Sequence, residues 1–196
     1  MQILFHYPQQ LAAALLAVES GGCCVLLSKD ETYLDRVTAR STSRRLLKEI
    51  LRTIHCCTDA DIAIRDVKGQ APTVDCCGQT FFVSFAYDED YLLLALSRSK
   101  AIGVDLLSKP IVFAWQDVAK NYLSPEIIES LSQQNNARAA LGFAKAWVVN
   151  EARLKCLGMP LQEWSNSLEL KLRTASLSYL NDAGFPLIAI AEKNGS

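Results

Sequence analysis

Residues 143–158 read Phe-Ala-Lys-Ala-Trp-Val-Val-Asn-Glu-Ala-Arg-Leu-Lys-Cys-Leu-Gly. The run reads as the end of a long helix that Asn135 or Asn136 can cap and that Gly158 terminates. On such a helix Trp147, Glu151 and Lys155 fall four apart and share one face. A glutamate four residues before a lysine is also the ordinary stabilising pair of an exposed helix. The tryptophan on the same face argues instead for a partly buried site.

Around this helix the chain alternates twice between helix and strands. Downstream, strands read at 167–172, 175–179 and 186–191, with Asn181-Asp182-Ala183-Gly184 as a turn. Upstream, Ser124-Pro125-Glu126 starts another helix: a serine cap, proline at the first position and an acid in the first turn. This half opens near Lys109-Pro110. In the first half, strands at 2–6 and 23–28 flank an Ala/Leu-rich helix at 10–18, broken by Gly21-Gly22. A helix over 31–54 follows, with Leu34, Val37, Leu47, Leu51 and Ile54 at approximate helical spacing. Then come a strand at 61–67, a Gly/Pro/Cys loop at 69–79, a hairpin of 81–85 with 91–97 across Asp88-Glu89-Asp90, and a strand at 101–106. Helix then strands, repeated at half-chain spacing, predicts an α+β fold of two similar subdomains, 1–108 and 109–196, rather than a doubly wound sheet.

Composition narrows the function classes. The chain has 196 residues, half of them hydrophobic and 21% charged, which suits a soluble globular protein. A formal net charge of −1 gives no global pull toward nucleic acid or an anionic membrane, so an anion site must come from local clustering. Six of the seven cysteines form the vicinal pairs Cys23-Cys24, Cys56-Cys57 and Cys76-Cys77, with Cys156 left over. Without Cys-x-x-Cys spacing, and with only His6 and His55 besides, they read as reduced thiols and not as a zinc site. The N-terminus lacks the basic region of a signal peptide, and the apolar stretch 11–18 is far too short for a bilayer. The expectation is a cytoplasmic protein with no membrane partner.

Three constellations carry chemistry. Arg36, Arg40, Arg44, Lys48 and Arg52 recur every fourth residue, with Arg45 beside them. Like charges so placed repel unless an anion compensates them, and phosphate suits arginine's planar donors; the plain alternative is a solvated face relieved by Asp35 and Glu49. No aromatics interleave the stripe, which argues against a nucleic-acid surface. Gly103-Val104-Asp105 places a carboxylate at the exposed end of an apolar strand, to hold a metal, cap a turn or face water. Glu151 and Lys155 are the third. Asp105 and Glu151 together supply the two oxygen ligands magnesium typically takes alongside substrate phosphates.

The order Phe-Val-Ser (82–84), Gly-Val-Asp (103–105) and Phe-x-x-x-Trp-x-x-x-Glu-Ala-x-x-Lys-x-x-Gly (143–158) resembles the signature of Sfp-type 4'-phosphopantetheinyl transferases. Leu27-Ser28, Arg44-Arg45-Leu46-Leu47 and Leu123-Ser124-Pro125-Glu126 extend the likeness over most of 27–192. The resemblance implies two pseudo-symmetric α+β subdomains with the cofactor cleft between them. It implies a monomer that transfers phosphopantetheine from coenzyme A to a serine of an acyl or peptidyl carrier protein. Asp105 and Glu151 would hold Mg2+, Glu151 would take the serine proton, and Lys155 would pair with the pyrophosphate. Trp147 would pack the helix, Arg44 would bind a coenzyme A phosphate with Arg40 and Arg45 beside it, and Ser84 would line the cofactor site. The chain departs from the signature at Leu107, where a second acid is usual, at Phe85, in place of a histidine, at Asn150, in place of a lysine, and at Gly69-Gln70-Ala71-Pro72, in place of Gly-Lys-Pro. These departures leave a second reading, a member that keeps the fold as a binding or scaffold protein without transferring anything. Hydrophobic contacts for a carrier would lie near 112–133, with Ile127, Ile128 and Leu131 as candidates or as core.

Overall fold

A computed structural model describes residues 4–30, 35–67, 70–111, 114–181 and 184–194, without the side chains of Arg36 and Leu180. In chain order the elements are β1 (Leu4–His6), α1 (Leu11–Glu19), β2 (Cys23–Lys29), α2 (Arg36–His55), β3 (Ile62–Arg65), β4 (Thr73–Cys76), β5 (Gln79–Asp88), β6 (Tyr91–Ser97), β7 (Ile102–Leu107), α3 (Trp115–Tyr122), α4 (Pro125–Ser132), α5 (Asn136–Cys156), α6 (Asn166–Leu172), β8 (Ala175–Asn181) and β9 (Leu187–Lys193). One sheet runs β1-β2-β6-β5-β4-β3 and the other β7-β9-β8. Only β1 on β2 is parallel among these pairs. This is the mixed α+β class the sequence predicts. β7, the last element of residues 1–108, hydrogen-bonds into the sheet of residues 109–196.

Burial explains the layering. From Leu92 to Ser97 every residue of β6 is buried, and a strand apolar on both faces needs cover on both. One face, with Leu92, Leu94 and Leu96, packs on Ala14 and Val18 of α1 and on Leu47, Ile50 and Leu51 of α2. The other, with Leu93 and Ala95, meets Ile102, Val104 and Leu106 of β7 and Ile188 and Ile190 of β9. The far face of the second sheet, with Ala189 and Ala191, receives Ala144, Val148, Ala152 and Cys156 of α5. Two sheets thus stack between helices.

Caps follow the sequence. Ser124 accepts from the Ile127 amide at the start of α4, and Asn135 accepts from the Arg138 amide at the start of α5. Asp35 caps α2 by accepting from the Val37 and Thr38 amides. Residues 2–3 of the first predicted strand, 31–34 of the second helix with Leu34, Gly69 in the loop, and Asp182-Ala183 in the late turn lie outside the described residues.

Two expectations change. Residues 167–172 form helix α6, not a strand: Ser165 accepts from the Leu168 amide as a cap, and Leu168 and Leu172, four apart, are buried while Leu170 is 67% exposed. The loop over 69–79 contains β4, whose Val74 and Cys76 point into the core while Thr73 and Asp75 do not. Helix α3 is an addition that the sequence reading left unassigned.

A buried hydrogen bond links the centres of the stacked sheets: the Val104 amide of β7 donates to Ser84 Oγ of β5 at 3.1 Å, both residues being buried. Ser84→Ala orphans that amide and is expected to cost about 1–3 kcal/mol. A urea midpoint lowered at unchanged slope would show it, and an unchanged midpoint would mean the amide finds another partner.

Candidate active site

Gly103 sets the distance between β7 and α5. A Cβ on it would lie 2.0 Å from the Ala152 carbonyl oxygen and 2.3 Å from the Cys156 amide nitrogen, so only a residue without one lets the helix backbone sit this close. Asp105 is two residues on and therefore on the same face of the strand. There Lys155 Nζ donates to Asp105 Oδ1 at 2.7 Å and to the Phe85 carbonyl at 3.3 Å. Glu151 lies one turn before Lys155, and its buried Oε1 accepts no hydrogen bond among the described residues. Leu107, again on the Asp105 face, packs against the α5 core.

The electrostatics follow from burial. Desolvation pushes the Glu151 carboxyl up from its ordinary value; the nearby Asp105 charge adds to this and Lys155 partly offsets it. Asp105 is also raised, because desolvation outweighs the pull of Lys155, with Asp88 adding a smaller push. Asp88, which the sequence reading left in a hairpin turn, is thus part of the site. Its Oδ2 accepts from the Ser108 amide and hydroxyl, both at 2.8 Å, tying the end of β5 to the end of β7. The acid-rich Asp88-Glu89-Asp90 run was the available signal, but its connection to Ser108 is tertiary.

Glu151, Lys155 and Asp88 line a cleft of about 810 Å³, with Asp105 behind Lys155, and α2 lines it too, through Arg40 and Ser43. An adjoining hollow of about 560 Å³ shares Asp66, Phe85 and Lys155 and is lined by Gln70, Ser84 and Met159. Gly158 shapes this hollow. At φ +66° it ends the helix in the left-handed region, and a Cβ there would lie 2.2 Å from backbone atoms of Gln70 and Ala71. Trp147 packs in the cluster that α5 forms with α3 and α4 and does not line the cleft; it is edge-on to Tyr122 at 5.9 Å and tilted on Phe143 at 5.8 Å.

The basic stripe is divided. Arg40 and Arg44 both pair with Asp66, at 3.3 and 3.1 Å, while Lys48 and Arg52 pair with Asp59, at 3.2 and 3.3 Å. The compensating acids come from beyond the helix, whereas Asp35 serves as its cap. Arg40 faces the cleft, but Arg44 and Arg45 line a separate shallow pocket of about 420 Å³ with Lys48 and Arg52. The fold therefore gathers Asp105, Glu151, Lys155 and Arg40, with Ser84 behind them, and leaves Arg44 and Arg45 on the flank.

Residues 101–186, from the start of β7 to the turn before β9, match the family model of the 4'-phosphopantetheinyl transferase superfamily. A Synechocystis sp. protein, provisionally named a 4'-phosphopantetheinyl transferase, is 28% identical over 120 residues, which cover 60% of this chain and 48% of that protein. The chain thus spans about half the length of the curated relative it matches. Among the described residues no helix is long and apolar enough to cross a membrane.

Proposed function

We propose that the protein transfers the 4'-phosphopantetheine arm of coenzyme A to a serine of an acyl or peptidyl carrier protein, with Mg2+, as a cytoplasmic monomer whose halves, 1–108 and 109–196, close on the cofactor. The observation that carries this is the unpartnered, buried Glu151 oxygen beside the Lys155–Asp105 pair on one wall of the cleft. An orphaned carboxylate oxygen beside a second carboxylate is a donor set that suits a hard cation completed by waters and phosphate. Asp105 and Glu151 would hold it, and its charge would neutralise the pyrophosphate.

The remaining chemistry belongs to the chain. The serine oxygen bonds to the β-phosphorus, the bond from that phosphorus to the bridging pyrophosphate oxygen breaks, and 3',5'-ADP leaves. Glu151, its pKa raised by burial, suits a base that takes the serine proton. Lys155 turns from Asp105 to the pyrophosphate as charge moves to the leaving group. Arg40 faces them across the cleft and offers a phosphate a planar set of donors; Arg44 and Arg45 extend the basic surface beyond it, and Ser84 backs the adjoining hollow. Ile127, 37% exposed on α4, is our choice for a carrier contact, since Leu131 is core.

The closed Lys155–Asp105 contact and the apolar Leu107 favour a second reading, a relative that binds without transferring. Intact-mass measurement separates the two after the protein is incubated with apo carrier protein, coenzyme A and magnesium. A gain of one phosphopantetheine that disappears in Glu151→Ala is the expected result. No gain on several carriers, together with no coenzyme A binding, would leave the scaffold.

A further inference from the structure

Three sulfurs converge at the opposite end of α2 from Arg40, about 22 Å along the helix axis. Cys57 follows the left-handed helix cap Cys56, Cys76 closes β4, and Cys77 begins the two-residue turn into β5. Cys57 Sγ lies 3.5 Å from Cys76 Sγ, and Cys76 Sγ lies 3.9 Å from Cys77 Sγ. All three sulfurs fall within 4.8 Å of one another, the only such grouping of metal-ligating side chains among the described residues.

Tetrahedral zinc with bonds to sulfur of about 2.3 Å needs its sulfurs about 3.8 Å apart. The two short separations bracket that value. Adjacent cysteines seldom share an ion because successive strand residues point to opposite faces. Cys77 escapes the rule: at φ +49° it has left the strand, and the turn carries its thiol back beside that of Cys76. Sequence spacing alone argues against zinc for this reason. Cys76 is buried, Cys57 is half-buried and Cys77 is exposed, so an ion entering past Cys77 would keep one side toward solvent.

We propose that Cys57, Cys76 and Cys77 form a zinc site, with water as the fourth ligand. Each thiol exchanges its proton for a bond to zinc, so three protons leave per ion bound. The site joins the end of α2 to the β4–β5 hairpin. Since α2 carries Arg40 and β5 carries Asp88, it ties together two elements that wall the cleft.

The test is a cadmium titration of the full chain, reduced and free of chelator, following the thiolate-to-cadmium charge-transfer band in the ultraviolet. The band is expected to saturate at one equivalent and to be displaced by zinc but not by magnesium. Cys77→Ser replaces an exposed thiol and should melt like the wild type in metal-free buffer. It should weaken cadmium by more than the roughly 10–100-fold that losing an outer-shell partner costs. Cys56→Ser, the neighbouring exposed thiol, should bind as the wild type does. Zinc should raise the melting temperature of the wild type and of Cys56→Ser, but not that of Cys77→Ser. No band at one equivalent, a band indifferent to Cys77→Ser, or equal loss in both variants would overturn the site.

Discussion

Glu151→Gln is expected to melt higher than the wild type at pH above the Glu151 pKa while losing roughly a thousandfold in the proposed transfer, within the range general bases contribute. Glu151 is held in the folded chain at a raised pKa, chiefly by burial, with the Asp105 charge adding to it. A group that binds its proton more tightly when folded favours folding at low pH. That contribution is fully present below the unfolded pKa and is lost as pH rises through the folded one. Above both values the wild type carries an ionised, partly desolvated carboxylate with an unpartnered oxygen. Glutamine keeps the shape without the charge and should stabilise by about 0.5–2 kcal/mol, the range of ordinary single stabilising substitutions. The advantage should fade as pH falls through the Glu151 pKa, where the wild type becomes neutral as well. Melting curves of both proteins from acid to mildly alkaline pH test this. A glutamine variant that melts lower throughout would mean the carboxylate is stabilised where it stands.

Gly103→Ala should be strongly destabilising. The added carbon meets backbone atoms of Ala152 and Cys156 at 2.0 to 2.8 Å, and no rotamer change can relieve it. Either α5 lifts from β7 or the strand bends, and both separate Asp105 from Lys155. We expect a loss of at least about 3 kcal/mol, the upper end of ordinary overpacking, read from the urea midpoint. Gly142→Ala is the control within the same helix. Its methyl meets no backbone, only side-chain ends, with Leu131 nearest at 2.6 Å and Gln134 at 3.7 Å, and alanine is about 1 kcal/mol the better helix former. A Gly103→Ala protein as stable as Gly142→Ala would show that α5 is not held close to β7.

The helix carrying Glu151 and Lys155 was legible because its signal is local. Asn135, the four-residue spacing of Trp147, Glu151 and Lys155, and Gly158 all act within one element, and the helix starts at the Asn135 cap and ends before Gly158 as its sequence predicts. Gly103 and Asp105 were legible as a pair, though the reason for the glycine, a helix backbone at its Cα, was not. What escaped the sequence depends on distant partners. Asp59 and Asp66 neutralise α2, and Asp88 reaches Ser108 across the two sheets. The error at 167–172 is different. Leucines at 168, 170 and 172 fit alternation as well as a helical i, i+4 pair, and the Ser165 cap decides between them.

β9 lies between β7 and β8 in the second sheet, yet it is the last of the three to be synthesised. β7 therefore emerges long before the strand that completes its hydrogen bonds, with an open edge beside an apolar face. Contacts so distant along the chain form slowly. The helix carrying Glu151 and Lys155 has its complete floor only when β9 slides in. Assembly of the site is therefore expected to wait on β9, and pulse-labelled hydrogen exchange should find β7 protected later than β6.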